Sequence, residues 1–258
     1  MQRSAESIRL NVPLNIAHMD QTSSNQQLLQ IVTAAPPTTI DGVITMMQNI
    51  DTLLPSGDGL KWFNLLYLLV TKEVRDHPPV IGFADLVWLT RLDVVFANFY
   101  FQAIASFLNQ SSTPGSWQAL FEARHRTDID RIQFALAGMN AHINRDLSLA
   151  LLQTDDELHL GPSVNSPEHS DYERVNDLLE AVLPQGLQFL ATGILGELAQ
   201  DTGKIGRLLA IWNIRVARDL AWDFADHLRD LKGLAREVAL KIQDKFTGAI
   251  GRSLLISS

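Results

Sequence analysis

An all-α, single-domain bundle of about seven to nine helices is what this sequence predicts. Three observations carry that reading. From residue 40 onward apolar residues recur at spacings of three and four, the period of a helix with one buried face. No segment alternates apolar and polar residues as a half-buried strand would. And 46% of the 258 residues are hydrophobic while only 19% are charged, enough apolar surface for a sizeable core built from buried helix faces.

The elements follow in order. Residues 1–39 are polar, rich in Gln and Ser, and close on "TAAPPTT"; they read as an N-terminal arm, partly irregular, ahead of one helical domain over 40–258. "TIDGVITMMQNIDTLL" sets Ile40, Val43, Met46, Met47, Ile50 and Leu53 at helix spacing, with Thr39 as cap. "PSGD" breaks that helix, and Asp58 caps the next, "GLKWFNLLYLLVTKEVRDH", which ends before Pro78 and Pro79. A helix from about Ala84 to about Leu108 is apolar nearly all round and should be central. After the loop "NQSSTPGS" a short amphipathic piece starts at Trp117. The next long helix lies in "TDIDRIQFALAGMNAHINRDLSLALLQT", capped by Thr127 or Asp128. A polar loop over 155–171 leads to helices that run to the end, punctuated by Pro184, "DTGK" at 201–204 and "KG" at 232–233.

Several functions are excluded or disfavoured by composition. A net charge of -8 is the wrong sign for gripping phosphates, so no nucleic-acid partner is expected, nor an anionic membrane surface. With no cysteine there is no disulfide, thiol catalysis or Cys-ligated metal. The N-terminal twenty residues lack the apolar core of a secretory signal, and the run at 181–196 is too short to span a bilayer, so a cytoplasmic protein without a transmembrane segment is expected. A homo-oligomer is compatible with all of this.

Within the long helix, "GMNAHINRDLSLAL" (138–151) puts Asn140, His142, Asn144, Arg145 and Asp146 among core-forming residues. His142 and Asp146, at i and i+4, share one face, a spacing that offers two ligands to one cation or a base with its orienting carboxylate. Asn140 and Asn144 form a second such pair on another face. Asp93 lies inside the apolar helix, where an unpaired carboxylate is costly; the natural partners are the residues of 138–151. A second stripe, Arg215, Asp219, Asp223 and His227, reads either as further ligands or as a solvated face of i, i+4 pairs.

These segments are similar to a known family. "GDGLKWFNLLYLLVT", "RLDVVFANFYFQAI" and above all "GMNAHINRDL" resemble the family called domain of unknown function 5995, from about Gly42 to about Trp222. The resemblance implies a helical domain and no particular reaction. A fainter similarity is to the zinc-dependent phospholipase C and S1/P1 nuclease group, whose members carry His and Asp zinc ligands at i, i+4 followed by "IHQPLH". His142 and Asp146 match the first two positions, whereas the later histidines and the N-terminal Trp ligand are missing. That similarity implies at most one divalent metal (zinc, manganese or iron), held by Asp93, His142 and Asp146, with Asp223 or His227 as a further candidate ligand.

Two functions are therefore expected. One is a small-molecule enzyme acting on a hydrophobic substrate in a cleft lined by Asp93, His142 and Asp146. It would be a metal-assisted hydrolase, or a metal-free acid–base enzyme in which Asn140 and Asn144 hold the substrate or an oxyanion. The other is a non-enzymatic binding or assembly protein whose buried polar cluster fixes helix packing.

Overall fold

The computed structural model describes residues 14–192 and 213–257, and all its regular elements there are helical: α1 Leu14–Val32, α2 Ile40–Leu53, α3 Gly59–Asp76, α4 Leu86–Leu108, α5 Gly115–Ala123, α6 Arg131–Ala141, a π-helical turn His142–Asp146, α7 Leu147–Leu158, α8 Pro167–Thr192, α9 Ile214–Asp230 and α10 Gly233–Leu254. The expected breaks at Pro184 and 201–204 differ in outcome: α8 runs through Pro184, and 201–204 lies outside the described residues. Residues 1–13 of the expected arm also lie outside them. Residues 14–32 form a helix packed on α2 and α4, with Leu28 fully buried. Over 21–32, Leu28 and Val32 are buried and Ile31 packs against the core, behind the polar run "QTSSNQQ" that makes the sequence alone read as a polar arm.

Local chemistry places the helix ends. Thr39 caps α2 by accepting from Gly42 N–H, and Asp58 caps α3 by accepting from Leu60 N–H at 3.0 Å. Asp58 is buried, and Arg124 from the end of α5 donates two hydrogen bonds to its Oδ2. The helix expected to start at Thr127 or Asp128 starts instead after Asp130, whose backbone N–H donates to the Gln133 side chain in a capping box.

The bundle closes around α3, α4 and α6. α3 packs on α2, α6 and α8; α4 packs on α1 and α7; α9 lies against α7 and α8, and α10 against α5 and α6. Trp88, Tyr100 and Phe101 on α4, Phe63 on α3 and Trp117 on α5 fill the interior, as an all-round apolar α4 requires. α6 approaches α3 so closely at Gly138 that a Cβ there would stand 2.3 Å from the Phe63 ring. Gly138→Ala should therefore cost about 1–3 kcal/mol in urea unfolding, because a ring held among Tyr67, Tyr100 and Trp117 has little room to retreat.

Candidate functional site

The rod made by α6 and α7 is continuous, but its hydrogen-bond ladder widens over 142–146, where the Leu147 N–H reaches back to the His142 carbonyl. Such π turns break the regular register and are frequent at functional sites. Here the wide turn carries both halves of the expected His–Asp pair.

Aromatic rings form the walls around His142. Phe96 of α4 lies parallel to the imidazole, with centroids 3.5 Å apart and planes at 6°; Tyr67 of α3 stands edge-on at 4.6 Å. Nδ1 sits 3.2 Å from Asp146 Oδ2. The same Oδ2 accepts from Trp117 Nε1 at 2.8 Å, and Oδ1 accepts from Arg145 Nη1 at 2.5 Å. A carboxylate so occupied by donors fixes the imidazole tautomer: Nδ1 carries the proton and donates to Asp146, which leaves a lone pair on Nε2. Burial holds the His142 pKa below its ordinary value, against the opposing pull of Asp146, so the ring is neutral at pH 7. Nε2 is buried and has no hydrogen-bond partner among the described residues.

His142 lines a cavity of about 80 Å³ between α3, α4, the π turn, α8 and α9. Its walls are mostly apolar, with Leu66, Leu92, Phe96, Leu147 and Leu179 among them, and its polar members are Tyr67, Thr71, Asp93, His142 and Arg218. Asp93 makes no hydrogen bond among the described residues, and burial pushes its carboxyl up to about 7 while the Arg218 guanidinium pulls it down. The carboxyl is deep yet partly accessible because the surface it touches is the cavity's own. Burial, with Asp93 and Asp146 adding to it, keeps the Tyr67 hydroxyl protonated. Arg218 is 6% exposed; Nε donates to Asn176 Oδ1 at 2.5 Å, Nη2 to the Tyr172 carbonyl at 3.0 Å, and the guanidinium lies 4.1 Å over the Tyr172 ring.

The expected constellation is thus only partly assembled. Asp93 and His142 share the cavity, while Asp146 lies behind His142, wholly buried. Asp93 is not paired with the 138–151 helix; the cation acting on it is Arg218. Asn140 and Asn144 do not reach the cavity: Asn140 donates to the Thr247 carbonyl of α10, and Asn144 donates to Asn140 Oδ1. They tie the rod to α10, as the opposite face of the helix would dictate. Asp93, His142 and Asp146 do not make a metal centre either. Nδ1 is committed to Asp146, both Asp146 oxygens are taken by donors, and among the described residues no three His, Cys, Asp or Glu side chains group so as to hold an ion.

The 215–227 stripe is the solvated face, the second of the two readings, but without the expected i, i+4 pairing. Arg215 pairs across to Glu173, Asp177 and Glu180 of α8 instead of with Asp219, while Asp219, Asp223 and His227 are exposed. The cavity residue of α9 that sequence reasoning missed is Arg218. The signal was present: Arg218 interrupts the apolar series Ile214, Ala217, Ala221, Trp222 and Ala225 that forms the buried face.

Fold and site together describe an all-α bundle enclosing an apolar cavity with a held imidazole, a carboxyl and a guanidinium in its walls. The chain belongs to a family of unknown function (DUF5995), whose model matches residues 40–257. No curated protein and no solved structure matches it, so no match supports the likeness to the phospholipase C and S1/P1 nuclease group.

Proposed function

We propose that the chain binds a small, largely apolar molecule in the α3/α4/α8/α9 cavity and performs acid–base chemistry on its polar group. His142 is the base, Asp93 the second titrating group, and Asp146 a positioning residue. The observation that carries this reading is the His142 Nε2 lone pair, buried without a partner while Nδ1 is held by Asp146. An unmet buried polar atom costs about 1–3 kcal/mol, and among the described residues His142 is the one cavity-lining residue that carries such an atom.

The dimensions limit the ligand. A cavity of about 80 Å³ is roughly half the 150 Å³ that takes benzene, so it suits a few heavy atoms or the end of a longer chain. Its polar group would sit between Nε2, Asp93 and Arg218, as a carbonyl, hydroxyl or carboxyl. Hydrolysis of a short acyl ester uses these groups most directly. Nε2 takes a proton from water as its oxygen bonds the acyl carbon. Arg218 and protonated Asp93 face the developing oxyanion, and the imidazolium returns the proton to the leaving alkoxide.

Binding without turnover is the second reading, favoured by the complete set of partners around Asp146, which suits a fixed pocket as well as a working one. One experiment separates these. The protein is titrated with short-chain carboxylic acids, alcohols and their methyl esters, following the His142 ring nitrogens by NMR and ester cleavage in the same tube. The expected result is a shift of Nε2 by at least one class of probe, lost in the cavity-filling Val70→Phe. Ester cleavage that vanishes with His142→Phe supports the enzyme, and binding without cleavage supports the second reading. A ring that responds to none of the probes overturns both.

A further inference from the structure

α10 turns one row of its apolar residues outward, while Ala239, Leu240 and Leu254 pack against the core. Leu234, Val238, Ile242 and Phe246 recur every four residues and are 75%, 45%, 63% and 68% exposed. Its buried side is made of small residues, Thr247, Gly248 and Gly251, and a Cβ on Gly248 would stand 2.7 Å from the Gly115 carbonyl of α5. That close approach fixes which side of α10 meets the bundle. At about 100° per residue the four apolar residues fall on the side turned away, as one slowly drifting stripe.

Charge on this helix also departs from the whole. Residues 232–254 hold five Lys and Arg against two Asp and Glu, in a chain whose net charge is -8. One of the two acids, Asp244, points inward, where it accepts from the Gly115 and Ser116 N–H groups at the start of α5. Lys241, Lys245 and Arg252 are exposed and lie along one edge of the apolar stripe. An outward apolar stripe edged by cations is the pattern of a helix lying in a membrane interface, with long basic side chains reaching the phosphates.

We propose that α10 docks the protein on an anionic lipid surface, the stripe entering the acyl boundary and Lys241, Lys245 and Arg252 lying at the headgroups. Net charge alone argues against such a partner, but the acids that set it are distributed elsewhere in the chain, with Glu173, Asp177 and Glu180 engaged by Arg215 between α8 and α9. A second copy laid on the same stripe would bring two sets of these cations together. A fluid interface moulds to the convex face of a single helix. Among the described residues no helix is long and apolar enough to cross a membrane, so the attachment is peripheral. It does not depend on the chemistry of the cavity.

Co-sedimentation of the full chain tests this, using vesicles of phosphatidylcholine alone and of phosphatidylcholine mixed with phosphatidylglycerol, at low and high salt. The expected result is at least about tenfold stronger association with the anionic vesicles, weakened by salt. Ile242→Glu with Phe246→Glu, and separately Lys241→Glu with Lys245→Glu, should abolish it while leaving Tm unchanged, all four side chains being exposed. Equal association with neutral vesicles, or binding that survives either double variant, overturns the proposal. So does a dimer, seen by light scattering and broken by Phe246→Glu, in a protein that ignores both vesicles.

Discussion

Asp146→Ala is expected to lower the stability of the fold by about 3–5 kcal/mol. Asp146 is fully buried and gathers Trp117 of α5, Arg145 beside it and His142 a turn before it. Removing the carboxylate strands the Trp117 N–H in the interior, leaves the imidazole proton without an acceptor and opens a void. Arg145 is spared much of this cost, since it is partly exposed and already lies 3.4 Å from Asp244. Urea denaturation measures the loss. A change below about 1 kcal/mol would show that the three-helix junction does not depend on this carboxylate, and the tautomer assigned to His142 would lose its basis.

Asp93→Asn is expected to act in the opposite direction, and only above mild acidity. The folded-state pKa of Asp93 is raised from 3.8 to about 7, so the fold favours the protonated carboxyl. The stability this contributes is fully present below about pH 4 and is lost as pH rises through 7, where the native protein must carry a charge that its surroundings resist. Asparagine never ionises. At pH 8 the variant should be more stable than the parent by roughly 1–3 kcal/mol; the bare shift would allow about 4, and losing the counter-charge for Arg218 offsets part of it. Near pH 4 the two should unfold together. Urea unfolding from pH 4 to pH 8 reads the divergence directly, and parallel curves would mean that Asp93 ionises in the fold as freely as in water. If Asp93 serves the cavity chemistry, the stabilised variant should also bind ligand differently, a trade of stability against function common at working sites.

Sequence alone made the fold legible wherever periodicity was long. The apolar spacing of Ile40 to Leu53 and the all-round apolar character of α4 specify α2 and the central helix, because burial is the dominant force and its pattern is local. α1 was illegible because "DQTSSNQQ" at 20–27 offers no apolar residue, so the docking residues Leu28, Ile31 and Val32 make too short a pattern to read as a helix. Within the site, His142 and Asp146 could be paired from an i, i+4 spacing, and Asp93 could be flagged from its apolar neighbours. Their division of labour could not. It depends on Trp117 and Arg145 occupying Asp146, and on which face of α9 turns inward to bring Arg218 near Asp93; both are set by contacts between segments more than 25 residues apart or by a register that only packing selects.

The π turn has a consequence for how the chain tolerates insertions and deletions. It amounts to one surplus residue in a helix that enters and leaves as regular α, so α6 and α7 are phased against each other by about 100°. α7 uses that phase to set Leu147, Ala150 and Leu151 into the interior and to leave Gln153, Asp156 and Glu157 outside. Deleting one residue between His142 and Asp146 would let the rod relax into an ordinary helix with α7 near its present phase, because the wide turn is what absorbs the extra residue. The loss would fall inside the turn: His142 and Asp146 would stand three residues apart instead of four, and the contact that now holds Nδ1 3.2 Å from the carboxylate would have to be made anew. The length of this segment is therefore constrained by the site and not by the bundle beyond it, and a shortened turn should keep the fold while releasing the imidazole.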